Sequence, residues 1–331
     1  VLPFFVFQIK GSTFLYFTMK PCLLLFATLI LSFSVQIGSA QVKADPFVDK
    51  MATDTVKMPL DSLTTVHPKK SHFEASLDYQ SNDVYLGRKD STVLPYFIPA
   101  LSYYHKSGLY ATVSLNYLKN TTDSRVDLVT FEAGYMFHTG LYTGQLSFSK
   151  YFYNSQSTSV TAELKESAAF ENSYDFGFIK TVFTGTLNIG SKLDFSGVFG
   201  LEHSFYLFDE DLDLTPTLSV AASTQNYYND YYRKRRYSVK RKGETQTGIA
   251  TITGTVLNAS SFKLLDYELT MPINYTIGKC TFNFTPTYSI PVNAANIAVH
   301  TVRDNGQVLD KTKLEKIDNT FYWTLGVSFL F

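Results

Sequence analysis

The sequence predicts an all-β fold: a transmembrane, antiparallel, up-and-down β-barrel of about twelve strands. Three observations predict it. Residues 321–331, FYWTLGVSFLF, place Phe321, Trp323, Leu325, Val327, Phe329 and Phe331 at every second position, with smaller or more polar residues between them. That period of two is the mark of a strand with one apolar and one polar face. The same alternation recurs along residues 71–331, and the connections alternate between short (106–108, 138–140, 209–211, 277–279) and longer.

Composition narrows the class. The chain has 331 residues, 16% of them aromatic, with zero formal net charge. Its mean hydropathy is −0.04, too low for a bundle of membrane helices. A neutral chain offers no general attraction to nucleic acid.

In chain order, residues 1–40 read as leader and signal peptide. Lys20 precedes an apolar run over 23–33, and Gly38, Ser39 and Ala40 supply a small-residue cleavage site, with cleavage expected after Ala40. Residues 1–18 read as a leader upstream of Met19. Cys22 lies ahead of the apolar run and leaves with it, so the mature chain keeps Cys280 and forms no internal disulfide. Residues 41–70 are polar, hold Pro46, Pro59 and Pro68, and read as a flexible periplasmic segment or a plug in the lumen.

The strands follow. Phe73, Ala75, Leu77 and Tyr79 form the first apolar row, opposite Glu74, Ser76 and Asp78; rows led by Phe97, Leu109, Val129 and Tyr142 come next. A sixth row is Val160, Ala162, Leu164, Ala168 and Phe170, opposite Glu163 and Lys165. The seventh, near 174–189, changes parity between Phe178 and Phe183, which predicts a bulge. The remaining rows begin at Leu193, Leu212, Leu265, Phe282 and Phe321. Pro99, Pro216, Pro272 and Pro286 fall inside these rows and belong at bulges or rims, because proline donates nothing to a ladder.

Near-unbroken rows of Thr, Ser, Asn and carboxylates call for a wet interior, so the apolar face points outward to lipid. The terminal strand, with Trp323, Phe329 and a last Phe331, resembles the assembly signal of Gram-negative bacterial outer-membrane β-barrels. That resemblance implies the bacterial outer membrane, the barrel-assembly machinery as partner, and contact with outer-membrane lipids and lipopolysaccharide.

Two sets of candidate functional residues emerge. Glu74, Asp78, Glu132, Glu163, Asp194, Glu202, Asp213, Asp266 and Glu268 are the expected lumen-lining carboxylates, suited to small polar or cationic solutes. Arg233, Lys234, Arg235, Arg236, Lys240, Arg241 and Lys242 follow a tyrosine-rich run in the longest loop. In an exported chain this pattern suits the anionic groups of lipopolysaccharide or glycans rather than nucleic acid. No cofactor or metal is implied, and no catalytic residue. His203 and Ser204 are adjacent on a strand, point to opposite faces, and cannot pair. The expected function is a narrow pore for small solutes; the alternative is a non-conducting structural or adhesive barrel whose loops bind glycans.

Overall fold

The computed structural model describes residues 70–119, 124–208, 210–236 and 249–331, with the side chains of 235, 236, 249 and 250 left aside. The leader, nearly all of segment 41–70, and Lys240, Arg241 and Lys242 lie outside the described residues.

Eight consecutive strands run antiparallel: β1 (His72–Gln80), β2 (Tyr96–Tyr104), β3 (Leu109–Lys119), β4 (Ser124–Thr139), β5 (Tyr142–Tyr153), β6 (Glu166–Asp175), β7 (Lys180–Ile189) and β8 (Leu193–Glu202). Three staves are then interrupted. β9 (Phe205–Leu207) prolongs β8 past His203 and Ser204. β10 (Leu212–Leu214) and β11 (Thr217–Ser223) are split at Thr215-Pro216, and β13 (Lys263–Thr270) and β14 (Ile273–Ile277) at Met271-Pro272. Both prolines therefore stand where a ladder is already broken. β15 (Cys280–Pro291) and β18 (Thr320–Leu330) complete the ring, and β18 pairs with β1 from Glu74↔Leu330 to Gln80↔Thr324. The result is a closed antiparallel barrel of 12 strands. Closure gives each of the twelve staves a hydrogen-bonded neighbour on both sides, which lipid cannot supply.

Two hairpins show how the sequence sets the tight turns. Gly140 lies between Thr139↔Tyr142, and Gly278 between Ile277↔Cys280, with φ of 62° and 63°. A two-residue connection with glycine first needs that positive φ, which costs glycine nothing. These turns share one end of the barrel with His72 and Phe331. The long connections share the other end.

Two expectations are corrected. The sixth strand begins at Glu166; residues 160–163 form turns, and Val160, Ala162 and Leu164 are buried beneath the long loops rather than turned to lipid. Period-two spacing alone cannot tell a strand from a loop that packs alternate residues inward. The parity change near Phe178 is a turn, not a bulge: β6 and β7 pair without a register shift from Glu166↔Ile189 to Asp175↔Lys180. Phe176 donates no ladder bond there; its N–H closes the turn onto the Ile179 carbonyl at 2.9 Å.

Outside the wall, β12 (Ile249–Val256), β16 (Asn296–Arg303) and β17 (Val308–Leu314) form a separate three-stranded sheet. β12 pairs with β16, which belongs to the next loop.

Candidate functional site: the barrel interior and its mouth

The wall sorts side chains by chemistry. On β18, Leu325 and Phe329 are 51% and 47% exposed, whereas Tyr322 between Phe321 and Trp323 is 0% exposed. The same holds around the ring: Leu77, Leu101, Phe131, Phe148, Phe183, Phe199, Leu269 and Phe284 face out, while Ser102, Thr130, Ser149, Thr184, Thr217 and Asn283 face in. Outward rings gather at two levels. Phe97, Tyr79, Trp323 and Phe284 follow one another at 5.1–6.1 Å between centroids. Phe73, Tyr103 and Phe331 meet at the opposite end at 4.8 and 5.9 Å. A closed ladder with an apolar, aromatic-banded outside and a polar inside suits a bilayer and no other solvent. The chain is a membrane-spanning β-barrel of the outer-membrane type.

Known proteins resemble the chain only distantly. No protein-family model matches the chain, and no curated protein matches it. Among solved structures, it is similar to the KdgM porin at 9% identity, covering 78% of this chain and 99% of that one, with a TM-score of 0.39. It is similar to the NanC porin at 10% identity, covering 78% and 98%, with a TM-score of 0.41. It is also similar to the outer-membrane channel DcaP of Acinetobacter baumannii at 9% identity, covering 81% and 99%, with a TM-score of 0.29. The barrel itself rests on its own hydrogen-bond ladders.

Within the barrel, the expected carboxylates take different parts. Near the middle, Glu132 accepts from Tyr110 Oη at 2.7 Å and Ser149 Oγ at 2.9 Å. Glu268 accepts from Tyr322 Oη at 2.8 Å. Asp78 accepts from Asn283 Nδ2 at 3.4 Å. Toward the short-turn end, Glu202 pairs with Lys180 at 2.6 Å, Asp213 accepts from Thr215 Oγ1 at 3.0 Å, and Glu74 is buried on the same inward row of β1. Toward the long-loop end, Asp266 accepts from Ser289 Oγ at 2.8 and 2.9 Å.

Two of the nine carboxylates serve the loops instead. Glu163 lies in the turn before β6, off the wall, and pairs with Lys234 at 2.6 Å. Asp194 sits on β8 but accepts the N–H groups of Asn226 and Tyr227, each at 2.7 Å, and the hydroxyl of Thr224 at 2.6 Å. It thereby caps the short helix α1 (Asn226–Tyr231) from another strand, satisfying helix N–H groups that Gln225 leaves open.

Of the basic set, Arg233 and Lys234 project at the long-loop end with half-exposed side chains, Arg233 lying 3.9 Å from Asp230. Arg235 and Arg236 complete a π-helical turn after α1. At the terminus, Trp323, Phe329 and Phe331 all lie on the outer wall. His203 rests edge-on against Phe205 at 4.6 Å, and Ser204 Oγ bonds Thr215 Oγ1 at 2.9 Å.

No sequence pattern marks the most consequential part, residues 81–95. This β1–β2 connection does not stand out from the rim. Tyr85 accepts from Asn188 Nδ2 on β7 at 2.9 Å. In a ring of 12, β7 is six strands from β1 either way round, so the loop crosses the mouth to the opposite wall. Arg88, 1% exposed, donates to the carbonyls of Val292 at 2.9 Å and Asn293 at 3.2 Å, and its Nε lies 3.4 Å from Glu315 Oε2. Tyr228 on α1 donates to Glu315 Oε1 at 2.6 Å, and Tyr231 to Asp90 at 2.7 Å. Inward Leu128, Tyr151, Val182, Val198 and Leu265 from the wall pack with Tyr85, Leu86, Tyr227 and Tyr231 into one apolar cluster. Burial holds the phenols of Tyr85, Tyr227 and Tyr228 well above the usual tyrosine range, with the Glu315 carboxylate adding to the effect at Tyr228.

Proposed function

We propose that the chain is an outer-membrane channel for small polar or cationic solutes, with the inward carboxylate rows as its conducting path. The observation that carries this reading is charge: Glu74, Asp78, Glu132, Glu202, Asp213, Asp266 and Glu268 all lie on the inner side. The inward base Lys180 is engaged by Glu202, and Arg125 at the rim by Asp127 at 2.7 Å. Fixed negative charge in a narrow path admits cations and repels anions. A second observation supports a hydrated path. Ser114 Oγ, Thr130 Oγ1, Thr184 Oγ1, Asn274 Oδ1 and Asn283 Oδ1 are buried with no hydrogen-bond partner among the described residues. In a dry interior each would cost about 1–3 kcal/mol, and water relieves that.

The test is reversal potential across a planar bilayer under a salt gradient, for the refolded chain and for Glu132→Lys with Glu268→Lys. Cation preference that falls or inverts supports the path. Unchanged selectivity in a heat-modifiable, folded barrel removes it.

The second reading is a non-conducting barrel whose loops bind lipopolysaccharide or glycans. The half-exposed Arg233 and Lys234 at the long-loop end favour it. In either reading the barrel-assembly machinery and outer-membrane lipids are the expected partners, and residues 1–40 the expected leader and signal.

A further inference from the structure

We propose that residues 81–95 are a lid that shuts the channel at the long-loop mouth, and that the Arg88–Glu315 ion pair is its latch. The inference rests on the channel reading and adds its control.

The lid spans the mouth, because it leaves β1 and reaches Asn188 on the opposite wall. Beyond that contact it is fastened to the neighbouring quarter of the rim, at the upper ends of β13 and β15. Gly87 sits so close to Asp266 and Pro291 that a Cβ there would meet each at 2.9 Å. Tyr85 and Leu86 seat the lid on the apolar cluster of the wall, and its tip is fastened by polar contacts, one guanidinium, one carboxylate and a few carbonyl bonds, which water can replace. Glu315 is the shared node, since it also accepts from Tyr228 and from the Ala295 N–H at 2.9 Å, so one carboxylate ties three separate connections together. Losing the Arg88 contact leaves a buried charge without its counter-ion, which biases the equilibrium toward the open arrangement.

The experiment reads access and current separately. A reporter thiol, Ser114→Cys, is placed on the inward row of β3 in full chain carrying Cys22→Ser and Cys280→Ser. The barrel is reconstituted in sealed vesicles, and a membrane-impermeant methanethiosulfonate reagent is added outside. Arg88→Ala and Glu315→Gln are each expected to raise the labelling rate by roughly tenfold or more, the population shift that one charged contact commands. Glu315→Gln keeps the shape and the Tyr228 bond, so it decides the matter if Arg88→Ala does not fold. Equal labelling in a folded Glu315→Gln barrel overturns the latch. A thiol already labelled at the rate of an open site in the parent overturns the lid. Faster labelling without any current in the planar bilayer supports the lid and refutes conduction, so the two readings fail separately.

Discussion

Phe73 and Phe331 exchange both of their backbone hydrogen bonds, each at 3.0 Å, and stack their rings 5.9 Å apart. They are the lowest rung of the seam where the last strand meets the first. The seam is the one place where closure joins residues from the two extremes of the wall, and Phe331 belongs to its ladder. Removing Phe331 strips Phe73 of a donor and an acceptor at once. The expected outcome is a loss of about 1–3 kcal/mol and a smaller folded fraction, read by heat-modifiable mobility and urea unfolding in detergent.

Gly326 is required by its neighbours across the seam. It pairs with Asp78 on β1 and Asn283 on β15, and a Cβ there would fall 1.9 Å from Asp78 Oδ1. The glycine is what lets Asp78 and Asn283 meet over the intervening strand. Gly326→Ala is expected to destabilise the barrel by about 1–3 kcal/mol. Asp78→Ser in the same chain should recover part of it; a double-mutant cycle showing strict additivity would refute the coupling.

Lys180 and Glu202 form an inward pair at 2.6 Å with side chains 10% and 1% exposed. Lys180→Met strands the carboxylate's charge and is expected to cost about 3 kcal/mol. Lys180→Met with Glu202→Gln should cost less than the single change, as measured by denaturant midpoint.

The mouth is expected to loosen in alkali. Burial holds Tyr227 and Tyr228 protonated, with phenol pKa values above that of the unfolded chain, about 10. Groups around them include Tyr85, Arg88, Asp194, Tyr232 and Glu315. Their stabilisation is fully present below pH of about 10 and is lost as pH rises through the folded values. Phenolate absorbance should therefore lag behind that of free tyrosine, then rise together with access of reagents to the interior. Normal titration of all tyrosines in a folded barrel would contradict the packed mouth.

Much of the wall was legible because lipid and lumen impose opposite chemistry on alternate residues. The row from Phe321 to Phe331 and the split of Phe282 and Phe284 from Thr281 and Asn283 show it directly. The failures share a cause. Val160, Ala162 and Leu164 alternate as a strand would, yet pack under loops, since burial by a neighbouring loop yields the same period. The turn at Phe176 was hidden because apolar Phe176 and Phe178 occupy positions where polar turn residues were expected.

The barrel, its strand class, its outward face and a charged interior follow from side-chain period and solvent, and so are written along the chain. The arrangement at the mouth arises from the folded ring. Arg88 and Asp90 are far in the chain from Tyr231 and Glu315, and the three places share no local pattern. Their meeting depends on how the closed ring places β1 opposite β7 and brings three connections over one opening, a relation among strands that no local spacing encodes.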